Sequence, residues 1–216
     1  MTFVDLSHTI VNGLITYKGF PAPVICDYLS REASTRHYAE GTTFQIGKIE
    51  MIANTGTYID SPFHRFADGK DISELELPRL AGLDAVVIRV ADRAVDRRHV
   101  ASVDVRDKAV LVRTDWSMHW ATDRYFDGHP FLTEAAAIDL RDRGAVLVGI
   151  DSLNIDDTAT GARPVHTTLL GAGIPIIEHL CHLDQLPTAG FTFTAVPVKV
   201  KGMGTFPVRA FATVTA

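Results

Sequence analysis

Apolar positions in this chain gather in short β-branched runs. Ile46 to Ile52, Ala85 to Val90, Ala109 to Arg113, Ala145 to Ile150, Phe191 to Val200 and Phe206 to Val214 each read as a strand. Three of them, AVVIRV, AVLVRT and AVLVGI, are apolar at almost every position. A strand with one wet face alternates, so these runs predict strands covered on both faces. Two segments look helical. Thr133 to Arg143 has an N-capping threonine, three consecutive alanines and a terminating Gly144. Pro164 through Leu170 starts with a residue suited to a first helical turn and closes at Gly171 and Gly173, ahead of a strand at Ile174 to Ile177. The pattern predicts an α/β (mixed α+β) fold with a β-rich core. No repeat, low-complexity tract or Pro/Ser-rich linker interrupts it, so residues 1–216 are expected to form a single domain.

Composition narrows the partners. With 216 residues, 46% of them hydrophobic, the chain has enough material for one substantial core. A net charge of -5 and a pI near 6.0 provide no basic field for phosphates, which argues against nucleic acid. The first residues lack a basic start followed by an apolar run, and no apolar stretch is long enough to span a bilayer. A cytoplasmic protein acting on a small molecule is expected, with no membrane partner. Cys26 and Cys181 lack CxxC spacing and are expected to be reduced packing residues.

Candidate chemistry concentrates in residues 53–64, ANTGTYIDSPFH. Asp60 and His64 stand four apart across Pro62, whose fixed φ and missing N–H end a strand and stiffen the turn that follows. Gly56 allows close backbone approach, and Thr57 offers a hydroxyl that can orient a neighbour. Phe63, held between Pro62 and His64, is a candidate pocket wall. A capping Asp and a surface His are the bland alternative for the same residues. A second segment, RPVHTTLLGAGIPIIEHL, places His166 and Glu178 twelve residues apart.

Together these segments resemble the metal-dependent cyclase family, which includes bacterial kynurenine formamidases and isatin hydrolases. The family's HxGTHxDxPxH signature is matched at Gly56, Thr57, Asp60, Pro62 and His64, whereas its two leading histidines are Asn54 and Tyr58 here. Weaker resemblances run through VDLSHTIVNGLITYKG, LVRTDWSMHW, VGIDSLNID and FPVRAFA, nearly the length of the chain. The resemblance implies a cyclase-like swivelling β/β/α fold, a homodimer or homotetramer, and hydrolysis of a C–N or C–O bond in an amide, cyclic imide or lactone. It also implies that Asp60, His166 and Glu178 are metal ligands. One imidazole with two carboxylates suits a single divalent ion, manganese or zinc, better than a complete dinuclear zinc centre. His64 would then transfer protons, and Asn54 and Tyr58 would line the place where the family's other ion sits. Asn54 is there a substrate-binding candidate and Tyr58 a second catalytic candidate, acting with His64 if no metal is bound. The alternative is a metal-free lyase or isomerase, or a non-catalytic binding protein, in which Tyr58 fills the lost metal site by bonding Asp60 or His64.

Other residues carry bland expectations. His179 and His182 are expected to be structural or solvated, and His37 lies in a polar loop that could cover the pocket. Arg65 and Arg209 could attract a carboxylate, although solvated arginines are the commoner case.

Overall fold

The computed structural model describes residues 1–215. Nine strands form one mixed sheet, in the spatial order Thr2–Asp5, Phe211–Val214, Phe191–Thr194, Leu83–Arg89, Ala109–Arg113, Leu147–Ile150, Ile176–Glu178, Tyr58–Asp60 and Thr205–Pro207. The four strands from Leu83–Arg89 to Ile176–Glu178 run parallel, and their flanking neighbours pair antiparallel. This is the mixed, β-rich α/β fold that the sequence pattern predicts.

The three apolar runs occupy the centre of the sheet and are buried on both faces. Val86, Ile88, Val110, Val112, Val148 and Ile150 join one core with Ala137 and Leu140 of the helix Glu134–Asp142 and Val165 and Leu169 of the helix Pro164–Gly171. Their alternate neighbours, among them Val87, Leu111 and Leu147, join a second core with Ile59, Ile177 and Phe193. Each such aliphatic side chain contributes about 1.5–3 kcal/mol when fully buried. The two-sided core is therefore the principal source of stability and the rigid base of the site.

Both helices begin where expected, by different means. Thr133 Oγ1 accepts from Ala136 N, and Gly144 follows the helix at φ +86°. Pro164 opens the other helix, where the Asp156 carboxylate accepts from Val165 N at 2.8 Å and His166 N at 3.0 Å. A residue distant from the cap thus satisfies these otherwise unpaired first-turn donors.

Several strand boundaries differ from expectation. The run from Phe191 pairs only to Thr194, and the run from Phe206 divides into Thr205–Pro207 and Phe211–Val214. Pro207 has no N–H to carry a ladder onward. The strand expected at Ile174 to Ile177 is Ile176–Glu178, just past Pro175. Val24–Leu29 and Thr2–Asp5 also form strands, although neither stands out in the pattern. Val24–Leu29 pairs with Ile46–Glu50 in a separate two-stranded ribbon, Ile25 opposite Ile49.

Candidate metal centre

Sheet register gathers the site. Tyr58 lies opposite Glu178, and Asp60 lies opposite Thr205, so all four fall on one face of three adjacent strands. The intervening Ile59 and Ile177 point into the second core, which anchors the polar face from behind. At Gly56, φ is +68° and a Cβ would stand 2.8 Å from Ile10 Cγ1. Glycine is required there. Thr57 then ties its strand to the neighbouring segments, accepting from His8 N at 3.0 Å and donating to the His179 carbonyl at 2.6 Å. Pro62–His64 forms a single 3₁₀ turn packed against Gly204, where a Cβ would meet His64 Cα at 2.6 Å.

Asp60 and Glu178 are wholly buried, and His166 nearly so. His166 Nδ1 lies 2.6 Å from Asp156 Oδ2, an acceptor, so the imidazole carries its proton on Nδ1. Its Nε2 consequently faces Asp60 Oδ2 at 3.6 Å and Glu178 Oε1 at 3.7 Å. Neither separation is a hydrogen bond, and Asp60 Oδ2 is buried without a partner among the described residues. A buried carboxylate oxygen with no hydrogen bond, facing an imidazole nitrogen, fits a divalent cation. Donors sharing one ion at about 2.0–2.2 Å stand roughly 3–3.6 Å apart. The Asp156–His166 bond supplies the carboxylate support that metal-binding imidazoles generally have.

Charge makes the same demand. Burial lowers the His166 pKa, but the carboxylates of Asp156, Asp60 and Glu178 overcome it and push the imidazole up to about 10. Burial raises Glu178, with His166 opposing that shift. The pocket therefore calls for positive charge at Nε2, and a proton or a metal cation answers that call.

Around Glu178 the hydrogen bonding is dense. Ile155 N donates to Oε1 at 2.6 Å and Oε2 accepts from Tyr58 Oη, while Tyr17 Oη, 3.2 Å from Oε2, donates its proton to the Leu153 carbonyl at 2.6 Å. The two tyrosine hydroxyls lie 2.8 Å apart, and Asn154 Nδ2 donates to Tyr17 Oη at 3.1 Å. Burial, followed by the Glu178 charge, raises the pKa of Tyr58 well above its ordinary value. Tyr58 is thus a neutral phenol bonded to Glu178, rather than to Asp60 or His64 as the metal-free expectation has it.

His64 is partly open to solvent. Thr205 Oγ1 donates its only proton to Asp60 Oδ1 and so accepts from His64 Nδ1 at 2.9 Å. This leaves His64 Nε2 as the basic nitrogen. One ligand atom each from Asp60, His64 and His166 fall within 4.8 Å of one another. His64, expected as the proton carrier, therefore also stands within the ligand cluster, and Glu178, expected as a ligand, has several donors of its own.

A cavity of about 340 Å³ opens on these groups, and Asn54, Tyr58, Tyr17 and Phe20 form part of its wall. Phe63 does not line it, which corrects the pocket-wall expectation. In a 3₁₀ turn consecutive side chains diverge by about 120°, so Phe63 and His64 face different surroundings. Sequence reasoning missed Tyr17, Asn154, Asp156 and Thr205; the only available signal was that the first three fall within the weaker resembling segments. His179 is fully buried with Nδ1 2.9 Å from Tyr125 Oη, in keeping with a structural role. His37 is exposed and Arg209 pairs with Asp5, so neither joins the site.

A mixed sheet presenting a buried His–carboxylate cluster to a cavity defines the class, and comparison with known proteins gives the family. The Cyclase ("Putative cyclase") family model matches residues 4–157, a span that includes Asp60 and His64 and stops short of His166 and Glu178. This chain belongs to the cyclase family. Kynurenine formamidase of Bacillus cytotoxicus is 28% identical over 217 residues, covering 96% of this chain and 95% of that protein. A solved structure described as a potential metal-dependent hydrolase with cyclase activity superposes with a TM-score of 0.80 at 26% identity, over 98% of this chain and 96% of the other. Isatin hydrolase A from Labrenzia aggregata shares the fold, with a TM-score of 0.84 at 24% identity, over 100% of this chain and 94% of its own.

Proposed function

We propose that this protein is a metal-dependent hydrolase of an amide, cyclic imide or lactone, with an amide C–N bond as its principal target. The observation that carries the reading is Asp60 Oδ2, buried without a hydrogen-bond partner among the described residues and facing His166 Nε2 at 3.6 Å. Relatives named for formamide and isatin hydrolysis support it. Asp60, His166 and Glu178 would hold one divalent ion, manganese or zinc. When bound, that ion would polarise a substrate carbonyl and acidify water at neutral pH. His64 Nε2 accepts a proton from the attacking water and returns it to the leaving nitrogen. Thr205 keeps that ring in register, and Asp156 fixes the His166 tautomer. Asn54 and Tyr58 border the space the substrate occupies.

The test is a panel of small amides, imides and lactones assayed with protein of known metal content, before and after chelation. Turnover that disappears with the ion and returns with manganese or zinc is expected; turnover indifferent to chelation would defeat the proposal. A second reading has one observation in its favour. The raised pKa of His166 lets an imidazolium sit between Asp60 and Glu178, as a metal-free lyase or isomerase would require.

We further propose that the protein works as a homodimer, or a homotetramer built from such dimers, through the ribbon of Val24–Leu29 and Ile46–Glu50. A two-stranded ribbon is not stable by itself, yet this one exposes both faces, with Ile25 at 41% and Ile49 at 50%. The chain presents 11026 Å² to solvent, about 1,200 Å² beyond the roughly 9,800 Å² of a compact monomer of this mass. A stable interface removes about 800 Å² per partner, so a second copy on the ribbon would cover about two thirds of the excess. Light scattering is expected to show at least twice the 23.6 kDa chain mass, and Ile25→Glu with Ile49→Glu to give monomers. A monomeric parent would refute the assembly.

Among the described residues no helix is long and apolar enough to cross a membrane. Both cysteines are free, as the cytoplasm would keep them.

A further inference from the structure

Two arginines beside the cavity lack a carboxylate partner among the described residues. Arg163 places Nη1 on the backbone carbonyls of Thr160 at 2.8 Å and Ala162 at 2.7 Å, which leaves Nε and Nη2 without a partner among those residues. Arg65, just after the His64 turn, gives Nε to Thr167 Oγ1 at 3.1 Å and lies over the Phe66 ring at 5.3 Å. Arg93 pairs with Asp157, Arg97 and Arg143 with Asp139, and Arg209 with Asp5, while Arg31, Arg36, Arg79, Arg106 and Arg124 also lack a carboxylate partner among the described residues but do not line the pocket. In a chain of net charge -5, two unpaired guanidiniums flanking an acidic pocket stand apart. Both line a recess of about 110 Å³ that shares His64, Asn154 and His166 with the main cavity.

We propose that Arg163, with Arg65 beside it, forms a subsite for a carboxylate carried by the substrate next to its scissile amide. The inference rests on the hydrolase reading and narrows it to aryl amides bearing a carboxylate. A guanidinium fork with free N–H groups matches a planar carboxylate in a bidentate manner. The buried carboxylates of Asp60, Asp156 and Glu178 nearby disfavour a dianion, which selects a carboxylate over a phosphate. Tyr17 and Phe20, with ring centroids 5.7 Å apart on the cavity wall, supply a surface for a flat ring.

N-formylanthranilate and formanilide differ by this carboxylate and form the test pair. Arg163→Gln is expected to lower the ratio of their kcat/KM values, anionic over neutral, by about tenfold or more, as loss of hydrogen bonds to a charged group does. Arg163→Lys should restore part of the ratio, and Arg65→Gln should lower it less. A ratio that neither glutamine variant moves overturns the subsite. If the parent hydrolyses neither amide, the aryl amide is not its substrate whatever the standing of the hydrolase reading, and calorimetric binding of anthranilate decides the subsite. Binding at least about tenfold weaker in Arg163→Gln sustains it, by the same hydrogen-bond argument. Equal affinity in parent and variant, or tighter parent binding of phenyl phosphate than of anthranilate, overturns it.

Discussion

Asp60→Asn is expected to strip the protein of its metal and of its turnover while leaving the fold in place. The substitution conserves shape, and the new amide oxygen can still accept from Thr205 Oγ1. What disappears is the negative charge at Oδ2, the buried atom that has no hydrogen-bond partner among the described residues and lies 3.6 Å from His166 Nε2. An amide is a far weaker ligand than a carboxylate for a hard divalent ion, so metal content by mass spectrometry should fall from about one ion per chain to less than about a tenth. Because the ion would supply the Lewis acidity, kcat/KM should fall at least about a thousandfold. A circular dichroism spectrum matching the parent would exclude misfolding as the cause. If the variant retains both its ion and its turnover, the metal centre has been wrongly placed.

His64→Ala is expected to lower kcat by about 10²–10⁴, the usual worth of a general acid–base group, while metal content stays near that of the parent. The ring is held through Thr205 and directs Nε2 outward, whereas Asp60 and Glu178 are fully buried. The two readouts separate the roles open to His64. Loss of the ion along with activity would make it a ligand, as its place within 4.8 Å of Asp60 and His166 allows. Tyr58→Phe completes the comparison. Under the hydrolase reading it removes one donor to Glu178, slowing turnover less than about tenfold and costing roughly 1–3 kcal/mol in urea unfolding. Under the metal-free reading Tyr58 is itself an acid–base group, and the loss should match that of His64→Ala. Unchanged turnover after His64→Ala would remove both assignments.

The local chemistry of the site was legible in the sequence because it is compressed into short segments. Asp60, Pro62 and His64 share one turn, and His166 and Glu178 bound one helix–strand unit, so short motifs were enough to carry the family resemblance that named them. The central strands were legible for a similar reason, since residues 85–90, 109–114 and 145–150 record burial on two faces directly in their composition. Asn54 and Tyr58 were also identifiable as departures from the family signature. What Tyr58 does was not, because its partner lies 120 residues away.

Sequence by itself determined the β-rich mixed fold, the double-sided strands, the two helices with their caps and the candidate residues of the centre. Only the tertiary structure decided their partners. Asp60 meets Thr205 across 145 positions, Glu178 meets Tyr17 across 161, and Phe63 is turned away from the cavity it was expected to line. The physical reason is that a local pattern reports a residue's backbone preference and burial. Which polar atoms face one another is set by strand register and crossover between distant segments, and no local pattern encodes that. The charge demand at His166 Nε2 arises only when three carboxylates from separate parts of the chain converge on one imidazole.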